Sequence, residues 1–443
     1  MISKVAPQRT PDKLYAWMLS EPKAPRLIGE MSRQSNGDAA LSYDPQWIAS
    51  GFALSEDMPL SGNSFTPVHR NGRQPAAPGA LDDARPDRWG EKVIRTLYKP
   101  GATLFDHLYF AGDERFGAIG VSTSSSAYRP FLPRVLPRLD DANDLSEAAR
   151  IIETGEGELA GQQRALIGAG GSLGGAKPKA VIAIDNEEWV LKFFNSEPVD
   201  HPLIEHASMT LARKAGINAA QTLPIRLPGA HAVAVKRFDR QGGVRVHCVS
   251  ACTLLRSVTP QGMEPEFGYP QLARAMRRVA NASTLDLQLR ELFRRMIFNI
   301  LIANTDDHEK NHALLCHISG RTMKLELSPA YDIVPTGSGA LEHQFMISNT
   351  SRAPNLAEAM SVAGDFNLTQ PQAAQEVQGI IAVVNDWQTH FYAMKVSKRD
   401  ITEIATLIDD PDLLAQRRSF TAESYLDRSR PPRRHPRGAR GFR

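Results

Sequence analysis

The chain has 443 residues and a formal net charge of +3, with 42% hydrophobic and 23% charged residues. This composition is typical of a globular protein of one to three domains, and so small a net charge gives no strong attraction to nucleic acid. No apolar run reaches the roughly 18 residues of a membrane span. The three cysteines form no C-x-x-C pair, which fits a reducing compartment. We therefore expect a cytoplasmic protein with no membrane partner.

The N-terminal part of the chain is predicted to form a small β-rich subdomain at residues 12–125, after a flexible N-terminus at residues 1–11. Alternating apolar residues and turn signals predict its strands and helices. The strands are expected at residues 14–18, 27–31, 40–43 and 116–121, and the helices at residues 87–92 and 105–111. Serines and prolines then predict a linker at residues 126–144.

Residues 145–240 are predicted to form a second lobe, which is mainly antiparallel sheet with one helix packed on it. Strands are expected at residues 180–184, 189–193, 221–227 and 232–238, and helices at 145–153 and 202–215. Gly242 and Gly243 then predict a hairpin turn before a strand at residues 245–249.

A larger helical lobe is predicted at residues 241–425. Its helices are expected at residues 271–279, 285–303, 371–392 and 402–408. The order of the lobes predicts an α+β class and a bilobal protein-kinase-like fold. The tail at residues 426–443 carries seven arginines and three prolines, which predicts a disordered basic extension or a weak contact with nucleic-acid phosphates.

The polar stretch NTDDHEKN at residues 304–311 follows an apolar helix and is the strongest chemical signal. Five residues separate Asp306 from Asn311, as in the catalytic loop of protein kinases, where the Asp is the base and the Asn holds magnesium. We predict that Asp306 accepts the proton of a serine or threonine hydroxyl. Asn311 and Asp332 would hold Mg²⁺ through oxygen. Only the spacing favours Asp306 over its neighbour Asp307.

Two other residues of this stretch receive predicted roles. His308 is assigned to the ATP site, where it would orient the loop by hydrogen bonds, and Lys310 would reach the γ-phosphate. A rival interpretation gathers Asp306, His308, His312 and His317 into a metal-hydrolase site, although no HExxH or C-x-x-C frame accompanies them.

A glycine-rich stretch at residues 168–179, with glycines at 168, 170, 171, 174 and 175, precedes the first strand of the β lobe and predicts a phosphate-binding loop. Its predicted ATP contacts are Gly174, Gly175, Ala176, Lys177 and Lys179. The pattern is neither G-x-G-x-x-G nor a Walker A motif, so a flexible surface loop is the competing interpretation.

The β lobe also supplies a candidate lysine and a candidate connector to the next lobe. Lys192 lies in an apolar strand and Glu205 follows thirteen residues later in a predicted helix, so the two are predicted to form an ion pair that orients Lys192 on the phosphates. An outward-facing strand lysine is the alternative. The backbone of Lys236, Arg237 and Phe238 is predicted to hold adenine.

These motifs resemble the HipA family. The similar segments are SLGGAKPK at 172–179, Lys192, FDR at 238–240, NTDDHEKN at 304–311, YDIV at 331–334 and, more loosely, ERFGAIG at 114–120. The resemblance covers roughly residues 12–410, with residues 82–94 similar only in outline and residues 261–268 as a variable loop. It implies a serine/threonine-protein kinase that uses ATP and Mg²⁺ and acts as the toxin of a toxin–antitoxin pair.

The resemblance also implies partners and a modification. Family members bind a small helix-turn-helix antitoxin (HipB-like), through which they reach operator DNA, and characterised members phosphorylate aminoacyl-tRNA synthetases. They autophosphorylate a serine of the glycine-rich loop, and Ser172 is the matching residue and the one hydroxyl within residues 168–179. Two alternatives remain open: a small-molecule phosphotransferase of the same fold, and a catalytically idle corepressor subunit.

Overall fold

Helices and antiparallel sheets together give the chain an α+β fold. The computed structural model describes residues 10–68, 75–98, 103–132, 135–170, 175–193, 198–336 and 342–426. The predicted flexible N-terminus and basic tail lie almost entirely outside these ranges. Within them, the sheets have five, four and three strands, and two further strands form a hairpin.

The five-stranded sheet belongs to the N-terminal part and has the strand order β4-β3-β2-β1-β5. Its strands are β1 (Lys13–Met18), β2 (Arg26–Arg33), β3 (Ala39–Tyr43), β4 (Ser64–Phe65) and β5 (Ile119–Ser122). The helices of this part are α1 (Pro45–Ser50), α2 (Gly79–Asp83), α3 (Arg88–Tyr98) and α4 (Leu104–Phe110). Leu14, Ala16 and Met18 alternate along β1 and are all buried, which is the period-two pattern that predicted the strand. The predicted strands are confirmed.

The four-stranded sheet forms the β lobe and has the order β6-β7-β9-β8, with every neighbouring pair antiparallel. Its strands are β6 (Lys179–Ile184), β7 (Glu187–Phe193), β8 (Thr222–Leu227) and β9 (Ala230–Lys236). The accompanying helices are α5 (Ala142–Thr154), α6 (Gly161–Gly170) and α7 (His201–Lys214). Each strand predicted from the sequence is present.

Helices cover both faces of this sheet, so the prediction of a single packed helix was wrong. Val233 and Val235 of β9 face the core shared with α7, whereas Ala232 and Ala234 face a second core. That second core contains the buried sides of α3, α5 and α6. The continuous apolar run from Ala232 to Val235 indicates that both faces of β9 are buried, but it does not show which helices cover them.

Helix α6 corrects the interpretation of the glycine-rich stretch. The sequence placed Gly168 and Gly170 in the loop, yet they are the last residues of this helix. A Cβ on Gly170 would lie 2.4 Å from the backbone oxygen of Val181. Glycine is required there because helix α6 runs very close to strand β6, and not because a phosphate approaches.

The helical lobe begins with a short hairpin and a three-stranded sheet. The hairpin pairs β10 (Arg240–Gln241) with β11 (Val244–Arg245), and the sheet contains β12 (Cys248–Ser250), β13 (Ala313–Ser319) and β14 (Thr322–Leu327). Gly242 and Gly243 have φ of 57° and 83° and make the predicted turn. The single strand predicted at residues 245–249 is two strands, because its first part pairs with β10 and its second with β13.

Nine helices are described in this lobe. They are α8 (Ala251–Val258), α9 (Tyr269–Val279), α10 (Leu285–Leu301), α11 (Leu356–Ser361), α12 (Gln370–Val384), α13 (Trp387–Ala393), α14 (Lys398–Ile408), α15 (Pro411–Ser419) and α16 (Glu423–Leu426). The helix predicted at residues 371–392 is interrupted at Asn385 and Asp386, residue types that favour helix ends over helix interiors. None of the helices in the described ranges is long and apolar enough to cross a membrane.

Helix α10 is the central element of this lobe and leads directly into the polar stretch at residues 304–311. Its residues from Met296 to Leu301 are all buried, as expected for the end of a helix that is apolar on every side apart from Asn299. Arg295 is also buried and donates from Nη2 to the carbonyl oxygen of Ser328, at 2.7 Å. This bond ties α10 to the segment that follows β14 and carries Asp332.

Candidate active site

Lys192 on strand β7 is the centre of the candidate site. Its Nζ lies 2.6 Å from Oε1 of Glu205 on helix α7 and 2.7 Å from Oδ1 of Asp332. Its side chain is only 12% exposed, which rules out an outward-facing strand lysine. Burial alone would lower the pKa of Lys192, but the two carboxylates outweigh it and raise the pKa, so the lysine stays protonated.

Asp332 joins the two lobes at this point. Its φ of 59° lies in the left-handed region, which Asp tolerates better than most residues. Although burial acts in the opposite direction, Lys192 and Lys179 hold the pKa of Asp332 well below its usual range. Its side chain is 39% exposed. An ionised carboxylate with one face open suits an oxygen ligand of Mg²⁺.

Asp306 lies on the exposed side of the loop that follows α10. Its backbone N–H donates to Oγ1 of Thr336 at 3.0 Å, and its Oδ1 accepts from Nε2 of Gln344. Burial raises the pKa of Asp306, and the nearby charge of Asp332 adds to this. A carboxylate with a raised pKa is a better proton acceptor while it remains ionised near neutral pH.

Asp307 faces the opposite way and is buried. Its Oδ2 accepts from the hydroxyl of Tyr269 at 2.6 Å and lies 3.1 Å from Nε2 of His312. Burial alone would raise the pKa of Asp307, but His312 and Tyr269 lower it below the ordinary value. Asp307 therefore holds the loop on the lobe, and of the two adjacent acids it is Asp306 that is open to a substrate.

The remaining loop residues are held by local hydrogen bonds. Nδ1 of His308 accepts from the backbone N–H of Lys310 at 3.1 Å, and its carbonyl accepts from the N–H of Asn311 at 2.9 Å. His308 thus contributes two hydrogen bonds to the shape of the loop, and its place in the ATP site stays a prediction. Nζ of Lys310 lies 3.1 Å from Oδ2 of Asp87, an acid that the sequence did not connect with this loop.

The oxygen donors of Asn311 and Asp332 fit a magnesium ion. An amide oxygen and an ionised carboxylate are ligands that Mg²⁺ accepts, so Asn311 and Asp332 would hold the ion together with phosphate oxygens. The described residues include no group of three or more His, Cys, Asp and Glu that could hold a metal by themselves.

The rival metal-hydrolase arrangement is wrong for the described residues. His312 lies against the buried Asp307, whereas the exposed His317 pairs with Glu326 on the neighbouring strand. Neither imidazole converges with His308 on Asp306, so a cluster of imidazole ligands does not form.

The glycine-rich stretch is described from Gly175 onward, and Ser172 and Gly174 lie outside the described residues. Gly175 has φ of 116°, and a Cβ there would lie 2.0 Å from Nζ of Lys179. Lys179 is buried directly opposite Lys192 in the β6–β7 pair. Burial and the Lys192 charge lower the pKa of Lys179 to about 8. Lys177 lies next to Ala176, and its positive charge favours the ionised form of the carboxylates of Asp306 and Asp332.

The backbone N–H groups of the connector after β9 already form hydrogen bonds within the protein, which the sequence did not predict. The N–H groups of Lys236 and Arg237 donate to the carbonyl oxygens of Gln221 and Glu188, both at 2.9 Å. Only their carbonyl groups are therefore left to accept a bond from adenine. The ring of Phe238 packs 5.4 Å from that of Tyr331, next to Asp332.

The Arg237 side chain belongs to a buried ionic network. It donates to Glu114 at 3.0 Å and to both oxygens of Asp239 at 2.9 and 2.8 Å. The partner Glu114 lies in the N-terminal part, 123 residues away. Sequence reasoning missed this link. It also missed the contacts that Asp87, Tyr269 and Gln344 make with the loop at residues 304–311, because pattern and spacing carry no information on such distant contacts.

A β lobe and a helical lobe that meet at a lysine bridged to two acids define the class of this protein: it is a protein kinase by fold. Two family models match the chain, the HipA N-terminal domain at residues 24–122 and the HipA-like C-terminal domain at residues 171–388. The chain belongs to the HipA family of serine/threonine-protein kinase toxins, and the resemblance noted in the sequence is confirmed.

Individual relatives agree with this assignment. The serine/threonine-protein kinase toxin HipA of Shewanella oneidensis is 25% identical over 344 residues, which is 70% of this chain and 72% of the relative. A solved structure of HipA with HipB and operator DNA, also from Shewanella oneidensis, matches with a TM-score of 0.66. The match covers 93% of this chain and 99% of the Shewanella HipA chain at 18% identity, and it confirms the bilobal fold.

Proposed function

We propose that the chain is an ATP- and Mg²⁺-dependent kinase that phosphorylates serine or threonine hydroxyls of a protein and acts as a growth-inhibiting toxin. The observation that carries the proposal is Lys192, which bridges Glu205 and Asp332 across the two lobes. A protonated lysine in that position is directed at phosphate oxygens, because one acid comes from a helix of its own lobe and the other from the metal-binding segment.

The residues divide the chemistry between them. Lys192 and Lys179 offset the negative charge of the phosphates, and Asn311 and Asp332 would hold Mg²⁺, which neutralises charge on the β- and γ-phosphates when bound. Asp306 takes the hydroxyl proton as the oxygen bonds to the γ-phosphorus. The bond from that phosphorus to the β–γ bridging oxygen breaks, and ADP leaves with its electron pair.

Family membership supports a proposal for the partners and the location. The related Shewanella structure contains HipA, HipB and operator DNA, so we propose a small helix-turn-helix antitoxin as the partner, which links this chain to DNA indirectly. The proposed substrate is a component of translation such as an aminoacyl-tRNA synthetase, and the proposed location is the cytoplasm. The proposed autophosphorylation site is Ser172.

Replacement of Asp306 by Asn tests the catalytic assignment. General-base assistance contributes about 10²–10⁴-fold, so Asp306→Asn is expected to lower phosphate transfer from radiolabelled ATP by that factor. Calorimetry is expected to show ATP affinity within about threefold of wild type, because the base does not hold the nucleotide. The wild-type protein, incubated with ATP and Mg²⁺, digested and examined by mass spectrometry, is expected to carry phosphate on Ser172.

Asp307→Asn is the matched control at the adjacent position. It weakens the buried bonds to Tyr269 and His312, so it is expected to lower the melting temperature while leaving the folded fraction active. If Asp307→Asn abolishes transfer in fully folded protein and Asp306→Asn does not, the assignment of the base is incorrect. Phosphate confined to residues other than Ser172 contradicts the proposed autophosphorylation.

A further inference from the structure

The segment that opens helix α3 contacts both walls of the candidate nucleotide site. Oδ2 of Asp87 lies 3.1 Å from Nζ of Lys310, in the catalytic loop. The same carboxylate accepts a hydrogen bond from the backbone N–H of Gly175, at the end of the glycine-rich stretch. One side chain of the N-terminal part therefore joins two loops that belong to different lobes.

A neighbouring residue strengthens the contact with the glycine-rich stretch. The backbone N–H of Trp89 donates to the carbonyl oxygen of Gly175 at 2.9 Å, and its indole Nε1 donates to that of Lys179 at 2.8 Å. Trp89 is itself buried. Both polar backbone groups of Gly175 are thus bound by residues 87–89, which fixes the backbone just after the residues expected to contact phosphate.

The ion pair between Asp87 and Lys310 is partly shielded from solvent, with side chains 26% and 37% exposed. Burial alone would raise the pKa of Asp87 and lower that of Lys310, yet each partner reverses the effect on the other. Both groups are therefore charged near neutral pH. The carbonyl oxygen of Lys310 also accepts from the hydroxyl of Tyr331 at 2.7 Å, which links the pair to Asp332.

We propose that Asp87 is a positioning residue of the kinase, which holds Gly175 and Lys310 at a fixed separation so that ATP meets a preformed site. This inference rests on the proposed function. Without the Asp87 charge, the two loops separate more often in the free enzyme, and ATP must spend part of its binding free energy to bring them together. The apparent affinity for ATP then falls in proportion to the fraction of protein in the competent arrangement.

The test is Asp87→Asn in the full chain, with kinetics and amide hydrogen exchange as separate readouts. We expect the KM for ATP to rise about tenfold, whereas kcat at saturating ATP changes by less than about threefold because bound nucleotide restores the arrangement. Without nucleotide, the Gly175 amide is expected to exchange faster, because it loses a charged acceptor. Asp87→Glu keeps the charge and is expected to recover most of the affinity.

Glu153→Gln is the matched control. Glu153 of helix α5 pairs with Lys92 of helix α3 at 3.1 Å, but it lies outside the candidate site. It is expected to change neither KM nor the exchange of Gly175. An unchanged KM and unchanged exchange in Asp87→Asn overturn the proposal, and so does a parallel loss of kcat and melting temperature with no change in KM. If the wild type itself transfers no phosphate, the proposed function fails, while the exchange of Gly175 still decides whether Asp87 holds the loop.

Discussion

Two lysines that lie opposite each other in one strand pair have different surroundings. Lys192 contacts two carboxylates, and the charge of Lys192 in turn acts on its buried neighbour Lys179. Burial and this charge lower the pKa of Lys179 to about 8, whereas Lys192 remains protonated. The positive charge that Lys179 would offer to phosphate therefore depends on pH in the physiological range.

ATP affinity is expected to fall as pH rises through about 8, because the protonated fraction of Lys179 in the free enzyme decreases there. Calorimetric titrations between about pH 6.5 and 9.5 measure this directly. Lys179→Arg keeps its charge over that range and is expected to flatten the dependence. An equally steep fall in the arginine variant contradicts the assignment to Lys179.

The ion pair of Lys192 with Glu205 was predictable from the sequence, and the contacts between distant motifs were not. The spacing of Asp306 and Asn311, and that of Lys192 and Glu205, follows from local geometry along a loop and from a strand to the next helix. Lys310 is predicted to reach the γ-phosphate, and the structure adds a contact with an acid 223 residues away. No periodicity or spacing rule reports a contact of that kind.

At the scale of elements, the glycine-rich stretch shows how one composition serves two purposes. Gly170 ends helix α6 against strand β6, and Gly175 begins the turn beside Lys179. The sequence assigned both to one loop, because glycine signals a special backbone without saying whether the cause is a turn, a ligand or a close neighbour. The helix α6 itself was missed for that reason.

Gly170→Ala is expected to destabilise the protein by about 1–3 kcal/mol, because its Cβ would lie 2.4 Å from the backbone oxygen of Val181. Gly379→Ala is the control, since Gly379 is an exposed residue in α12 with no heavy atom within 4 Å of the added Cβ. That substitution is expected to stabilise by roughly 0.5–1 kcal/mol. Urea unfolding curves measure both, and a neutral Gly170→Ala would show that helix and strand can move apart freely.

At the scale of the whole molecule, the N-terminal part is bonded to the connector between the two kinase lobes. The backbone N–H of Gly117 donates to Asp239 at 2.8 Å, and Arg240 returns a bond to the carbonyl of Gly117 at 2.8 Å. Arg237 reaches Glu114 in the same network. The two family-like segments at residues 114–120 and 238–240 therefore contact each other, which gives their joint presence in the sequence a structural reason.

Arg237→Ala is expected to cost about 3–5 kcal/mol of unfolding free energy, because it leaves the buried carboxylates of Glu114 and Asp239 without this partner. The adjacent Lys236→Ala removes a surface pair with Glu187 and is expected to cost less than about 1 kcal/mol. Denaturant unfolding of the two variants beside wild type compares a buried with a surface cation at neighbouring positions. Equal costs would show that the network contributes little.

The packing of helix α3 on the β lobe also determines the order in which a nascent chain can fold. Trp89 donates to Lys179 across 90 residues, so at roughly 5–20 residues per second strand β6 is synthesised about 5–20 seconds after the helix. Until then the apolar side of α3, with Trp89, Val93 and Leu97, lacks the core in which it is buried. Asp332, the partner of Lys192 in the other lobe, is synthesised 140 residues after Lys192. The growing chain therefore cannot form the bridge between its two lobes at Lys192 until residue 332 has been synthesised.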